Sequence, residues 1–266
     1  MTLRETFESL RSRGELAFMP YQTAGFPTLG GSLANLRVLA ELGADLLEIG
    51  IPFSDPIADG PTIQYASQIA LENGVSLRSS LAALEQLDVP CPLVVMSYLN
   101  PLLAVEREQL FAALHAVRVR GLIVPDLDLA EADEWCAAAR EHDVSLVFLL
   151  APTSSDERMR RIAELSDGFI YAVSLTGTTG AREMLPASLP RFLERIRAVT
   201  DKPVVVGFGI STPEHVRSLH GRADGVVVAS RIIDAIRRGQ PWTGLVESLK
   251  AATRGVGSSV PAPPRS

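Results

Sequence analysis

Glu48 interrupts an apolar run, Leu46-Leu47-Glu48-Ile49-Gly50, where a carboxyl group is costly to bury. Loss of water favours its neutral form and lifts its pKa toward a value useful for proton transfer. A structural ion pair is the competing reading of the same residue. Residues 52–61, which follow, carry Asp55 and Asp59 among Pro52, Pro56 and Pro61. The prolines limit the conformations of this segment and Gly60 permits a sharp turn, so Asp59 can be presented above Glu48. Asp before Gly is also a common turn pair, which leaves a purely local role open.

Three short segments late in the chain have a different character: Ser174-Leu175-Thr176-Gly177-Thr178-Thr179-Gly180, Gly207-Phe208-Gly209-Ile210-Ser211 and Ala229-Ser230. Small residues let backbone N–H groups approach an anion, and Ser230 would stand at a helix N-terminus whose dipole favours negative charge. Each could be an ordinary turn. Placed after three consecutive late strands, they match the usual phosphate position of a barrel of alternating strands and helices.

The elements that must carry these residues are legible in the periodicity. Short apolar runs at 17–23, 45–50, 93–98, 121–125, 145–150, 168–173, 203–207 and 224–228 read as buried strands. Between them, helical spacing predicts helices over 32–42, 62–73, 77–87, 107–117, 130–142, 155–165, 189–199, 212–219 and 231–238. Ser32, Ser155, Thr212 and Ser230 suit N-caps, and Gly43 and Gly74 suit helix ends. The expectation is one (β/α)8 TIM barrel over residues 1–254, with an N-terminal helix and an extra helical insertion after strand 2. A doubly wound open sheet is less favoured, because it usually has fewer strands and the Gly-x-Gly-x-x-Gly turn after the first strand is absent. Residues 255–266, rich in Gly, Ser and Pro, are expected to be a disordered tail.

Composition removes several classes of function. The chain of 266 residues has 25 basic and 31 acidic side chains, a formal charge of −6, and so presents no basic field for nucleic acid. Cys91 and Cys136 lack the spacing of a redox or zinc motif and read as reduced and buried, and no apolar run is long enough to span a membrane. With no signal peptide at the N-terminus, a cytoplasmic address is expected. His115, His142, His215 and His220 fall on predicted helices without metal-ligand spacing, so no metal site is expected, and Trp135 and Trp242 read as packing residues. There is no Gly-x-Ser-x-Gly nucleophile elbow. Neither Lys202 nor Lys250 ends a strand, as a Schiff-base lysine would have to.

The stretch from Leu47 to Gln64, reading Leu-Glu-Ile-Gly-Ile-Pro-Phe-Ser-Asp-Pro-Ile-Ala-Asp-Gly-Pro-Thr-Ile-Gln, closely resembles the signature of tryptophan synthase α subunits. The resemblance extends through Pro20-Tyr21-Gln22-Thr23-Ala24-Gly25, Met96-Ser97-Tyr98-Leu99-Asn100-Pro101, Ile123-Val124-Pro125-Asp126-Leu127 and the late Gly-rich segments. It implies a lyase that cleaves indole-3-glycerol phosphate to indole and glyceraldehyde 3-phosphate without a metal or organic cofactor. It further implies a PLP-dependent β subunit as partner in a heterotetramer. A free-standing lyase that releases indole, or a mainly allosteric noncatalytic partner, is the alternative. By similarity Glu48 is the general acid and base, and Asp59 holds the indole N–H. Tyr98, Tyr171 and Phe208 would wall the indole pocket, Gly180, Gly209, Ala229 and Ser230 would hold the phosphate, and Tyr21 and Thr179 would also bind substrate. The family usually has Gly where this chain has Ala229, and the backbone donor survives provided φ there is negative. Asp128 and Arg118-Val119-Arg120-Gly121 also depart from the family pattern, where partner contacts are at stake more than catalysis.

Overall fold

Apolar runs of this length, buried almost throughout, satisfy their backbones by pairing in parallel with neighbours. In a computed structural model, which describes residues 1–174 and 185–255, they form β1 (Ala17–Thr23), β2 (Leu47–Gly50), β3 (Leu93–Met96), β4 (Val119–Ile123), β5 (Ser145–Val147), β6 (Leu149–Leu150), β7 (Ile170–Val173), β8 (Val204–Gly207) and β9 (Gly225–Val228). Neighbours run β5-β4-β3-β2-β1-β9-β8-β7-β6, all parallel. The two ends of that order, β5 and β6, are separated in the chain by Phe148 alone, which closes the sheet on itself. The fold is therefore the expected TIM barrel, with its fifth strand interrupted once. At the interruption the Phe148 N–H leaves the ladder and donates to Ser166 Oγ at 3.3 Å.

Alternation along the strands divides the core in two. Leu47, Ile49, Val95 and Leu122 face outward into the layer between sheet and helices, whereas Met19, Leu46, Val94, Ile123, Phe169 and Val205 fill the barrel interior. The N-terminal helix Leu3–Ser12 closes the lower end of that interior with Leu3, Phe7 and Leu10, and the Phe7 and Phe169 rings lie 5.6 Å apart. A capping box starts this helix: Thr2 Oγ1 accepts from Glu5 N–H at 3.2 Å and Glu5 Oε2 accepts from Thr2 N–H at 2.7 Å.

Helix boundaries differ from the sequence reading where caps compete. Thr28, not Ser32, caps Leu29–Glu41; Ser32 is buried inside the helix and its hydroxyl oxygen accepts from Gly25 N–H at 3.0 Å. Ser230 is the first helical residue of Ser230–Arg237, with Ala229 in the cap position. Ser155 and Thr212 do cap their helices. The connection after β2 holds two helices, Pro61–Glu72 and Leu77–Leu84, one more than a single βα unit needs. Two helices, Leu99–Leu103 and Thr243–Thr253, add to those expected from the sequence; the first is a single turn. Arg118 takes the left-handed conformation, φ 63°, at the exit of Arg107–Ala116, a position at which glycine is usual. Its guanidinium offsets part of that strain through Asp88 Oδ1 at 3.0 Å and the Leu87 carbonyl at 2.5 Å. Of the tail, only Gly255 lies within the described residues.

The last helix is tied to the barrel by a nearly dry ion pair. Lys250 Nζ lies 2.7 Å from Asp45 Oδ2, which also accepts the Phe18 N–H at 2.8 Å. Removing one member of such a pair leaves an uncompensated charge. Lys250→Ala is therefore expected to lower the unfolding free energy by about 3 kcal/mol, read from the urea midpoint. A shift under about 0.5 kcal/mol, the range of ordinary surface substitutions, would reduce the pair to an incidental contact.

Candidate active site

At the C-terminal strand ends, the inward-facing positions change from aliphatic to functional. Tyr21 on β1 is in register with Glu48 on β2, and Tyr171 on β7 is in register with Leu149 and Val205. Tyr21, Glu48 and Tyr171 open into a cavity of about 280 Å³ that is also lined by Asp59, Met96, Phe208, Gly209, Ala229 and Ser230. The cavity has room because β2 and β8 end in glycine. A Cβ on Gly50 would lie 1.9 Å from the Tyr21 hydroxyl, and one on Gly207 2.1 Å from that of Tyr171, so both rings lie across sites that only glycine leaves free.

Glu48 is 1% exposed and its Oε2 has no hydrogen-bond partner among the described residues. Burial first, and the neighbouring negative charge of Asp59 second, push its pKa up to about 8. The expectation of a structural ion pair is not met, since no described cation pairs with it. Asp59 lies at the end of the loop after β2 and is half-buried. Its pKa is raised by burial to about 6, against the opposing effect of the Tyr98 hydroxyl, which donates to Asp59 Oδ2 at 3.1 Å. The same hydroxyl accepts the Ala58 N–H at 3.0 Å, and Gln64 Nε2 donates to the Asp59 carbonyl at 2.8 Å. Phe53 packs on the Tyr98 ring at 5.3 Å. The loop is thus held by Tyr98, just after β3, on one side and by Pro61–Glu72 on the other, which places Asp59 rather than leaving it to turn chemistry alone.

The opposite wall is the turn after β8. Phe208 and Gly209 are both left-handed, at φ 64° and 78°, and a non-glycine residue in that region stores strain of about 1–3 kcal/mol. The buried Ser174 hydroxyl donates to the Phe208 carbonyl, and Ser174 N–H to the Gly207 carbonyl at 3.1 Å. So braced, Phe208 meets Tyr171 edge-on at 6.1 Å.

At the far end of the cavity, Ala229 has φ −115°, so alanine in place of glycine needs no left-handed backbone. No side-chain cap hydrogen bond satisfies the start of Ser230–Arg237, leaving its first N–H donors facing the cavity mouth. Thr179 and Gly180 lie outside the described residues. The sequence reading missed Arg231, Asp234, Arg237 and Arg238, which line the cavity beyond Ser230. Their one available signal was position, since the first and second turns of a helix that begins at Ser230 must flank whatever binds there.

Other candidates have structural partners. His115 Nδ1 lies 2.7 Å from the His142 carbonyl, and Ser211 N–H donates to His215 Nδ1 at 3.3 Å. His142 Nε2 lies 3.1 Å from Glu108 Oε2, and His220 Nε2 lies 2.9 Å from the Ala252 carbonyl. Lys202 Nζ donates to the Ser166 carbonyl at 2.6 Å. Trp135 packs edge-on against Phe111 at 6.0 Å. Both cysteines are buried and free.

The profile of the family described as "Tryptophan synthase alpha chain" matches residues 7–256. The chain belongs to that family. It is 48% identical to the tryptophan synthase alpha chain of Roseiflexus castenholzii over 242 residues, spanning 90% of this chain and 93% of the relative. The Arabidopsis thaliana alpha chain is 41% identical over 260 residues, 94% of each. Among solved structures, a chain of Mycobacterium tuberculosis tryptophan synthase superposes with a TM-score of 0.89 at 39% identity, covering 95% of this chain and 98% of that one. As a tryptophan synthase alpha chain, the protein is a carbon–carbon lyase of tryptophan biosynthesis that cleaves indole-3-glycerol phosphate.

The raised pKa of Glu48 makes a stability statement. Between the ordinary value of 4.5 and the folded value of about 8, the folded chain binds more protons at this site than the unfolded chain. Stability contributed here therefore falls as pH rises through that window. Glu48→Gln removes the penalty. It should leave stability nearly unchanged at pH 5 and raise it by a few kcal/mol, on the order of 3, at pH 8, as measured by urea unfolding at the two pH values. An equal effect at both would contradict the burial of an ionisable Glu48.

Proposed function

We propose that Glu48 supplies and recovers the protons of the retro-aldol cleavage while Asp59 stays anionic beside the indole nitrogen. The observation that carries this reading is the unequal pair itself. Two carboxyl groups face one cavity, and burial lifts Glu48 to about 8 but Asp59 only to about 6. Near neutral pH the pair holds one proton, on Glu48.

That distribution suits the chemistry. The protonated Glu48 gives its proton to indole C3, which becomes tetrahedral as positive charge develops at N1, where the Asp59 carboxylate offsets it. Glu48, now a carboxylate, takes the proton of the hydroxyl on the adjoining side-chain carbon. The C–C bond breaks, its electron pair restores the aromatic ring, and the oxygen becomes the aldehyde of glyceraldehyde 3-phosphate. Glu48 ends protonated as it began. In this reading Tyr21, Tyr98, Tyr171 and Phe208 wall the indole end. The phosphate rests on backbone donors at Gly209, Ala229 and Ser230, with Thr179 and Gly180 assigned to it by resemblance.

The same reading includes a PLP-dependent β subunit in a heterotetramer, a cytoplasmic address, and residues 1–254 as a single lyase domain. No helix among the described residues is long and apolar enough to cross a membrane. Support for the partner comes from the strand-end face: Ile57, in the loop that carries Asp59, is 83% exposed, and Leu103, after β3, is 64% exposed. Large side chains so exposed on neighbouring strand-end segments suit a protein partner. Asp128 has its side chain on the same face, after β4, whereas Arg118 to Gly121 stand at the opposite end of β4.

Two measurements test the reading. Glu48→Gln keeps the shape and removes the titration, so cleavage should fall by at least about a hundredfold in a folded variant; near-normal turnover would remove Glu48 from the proton transfers. Ile57→Asp should leave cleavage by the isolated chain intact but weaken its association with a tryptophan synthase β subunit about tenfold, or 1.4 kcal/mol, by calorimetry. Equal affinity of the unmodified and substituted chains would move the partner to another face.

A further inference from the structure

The cavity extends past the N-terminus of Ser230–Arg237 to an outer end beside Thr62 and Ile63 of Pro61–Glu72, and that end is cationic. Its charges are not equivalent. Arg237 Nη2 is 2.6 Å from Asp234 Oδ1 and its guanidinium lies 5.4 Å from the Tyr65 ring centroid. Arg238 Nε is 2.9 Å from Asp234 Oδ2. Asp234 thus engages two guanidinium groups and fixes both. Arg231 is exposed and adjoins Ser230 in the first helical turn, yet it forms no ion pair or side-chain hydrogen bond among the described residues.

Charge balance gives Arg231 a use. A phosphate monoester carries roughly −1.5 to −2 at neutral pH, whereas a helix N-terminus presents only about +0.5. Backbone donors at Gly209, Ala229 and Ser230 would leave most of that charge unbalanced, and Glu48 and Asp59 add repulsion from the other end of the same cavity. A guanidinium fork matches phosphate oxygens in geometry, and that of Arg231 is held to no other group among the described residues. We infer that Arg231 is a substrate-binding residue that takes the outward oxygens of the phosphate, while the inward ones meet backbone N–H groups. The inference rests on the phosphate placement proposed above. It gives the cavity two unlike ends, acidic at the ring and basic at the phosphate, and so disfavours the reversed substrate.

The test uses the full chain, with Arg231→Gln and Arg231→Lys, and follows the kcat and KM of indole-3-glycerol phosphate cleavage and its competitive inhibition by inorganic phosphate. Arg231→Gln should raise both KM and the phosphate inhibition constant about three- to tenfold, the range for a charge-assisted contact at a partly exposed site. The loss should fall on KM rather than kcat, shrink at high salt, and be partly restored by Arg231→Lys, which keeps the charge without the fork. If the unmodified chain is inhibited by phosphate and Arg231→Gln is inhibited equally with an unchanged KM, Arg231 is an ordinary solvated arginine and the inference is overturned. If phosphate does not compete even with the unmodified chain, the phosphate placement fails, and Arg231 fails with it.

Discussion

A carboxyl group that loses water and gains no cation can hold its charge only at considerable cost, and Glu48 is in that position. It is buried, one of its oxygens has no partner, and the nearest charge that acts on it is another carboxylate. In a protein built for stability alone, a methionine or leucine would serve the interior better. In the proposed reading the retained proton is the gain: burial makes Glu48 an acid near neutral pH, and Asp59, eased by Tyr98, remains available as an anion. The rest of the site can be understood as what keeps this pair unequal.

Keeping it so requires a cavity at one end of an otherwise packed cylinder. The lower interior is filled by Phe7, Phe169, Val94 and Val205 in contact, closed by the amphipathic first helix. At the upper end two glycines let two tyrosines lie across the neighbouring strands, on β1–β2 and again on β7–β8. Strain collects in the same place. Phe208 adopts a left-handed backbone next to the cavity, held there by Ser174, while the ion pair of Asp45 with Lys250 lies at the other end of β2. Stability and chemistry thus occupy opposite ends of the same strands, as the barrel architecture generally arranges.

In the proposed reading, specificity follows from polarity along the cavity rather than from any one contact. Carboxylates and aromatic rings stand at one end, and helix dipole and guanidinium groups at the other. A substrate with an aromatic ring and a phosphate matches this gradient in one direction only. The family relationship fixes what the reaction is, and the gradient gives a physical reason for the substrate orientation proposed above.

Much of this could be read before any coordinates. Apolar runs of strand length separated by helical spacing dictate a parallel sheet covered by helices, and eight such runs favour its closure into a barrel. Alternation along β2 already assigns Leu46 and Glu48 to one face and Leu47 and Ile49 to the other, so a buried carboxylate was legible from Glu48's neighbours. Local features failed where two residues compete for one cap, as Thr28 and Ser32 do, or where a helix is a single turn, as at Leu99–Leu103. What the sequence by itself determined is the repeating pattern of the fold and the positions in it that could bear chemistry, since both depend on short-range periodicity. Only the tertiary structure decided which of them meet: Tyr98 reaches Asp59 across 39 residues, and Arg231 opens on the same cavity as Thr62. The first meeting comes from the pairing of β2 with β3 and the second from closure of the barrel, which sets the first and last strands side by side, and no local pattern encodes either.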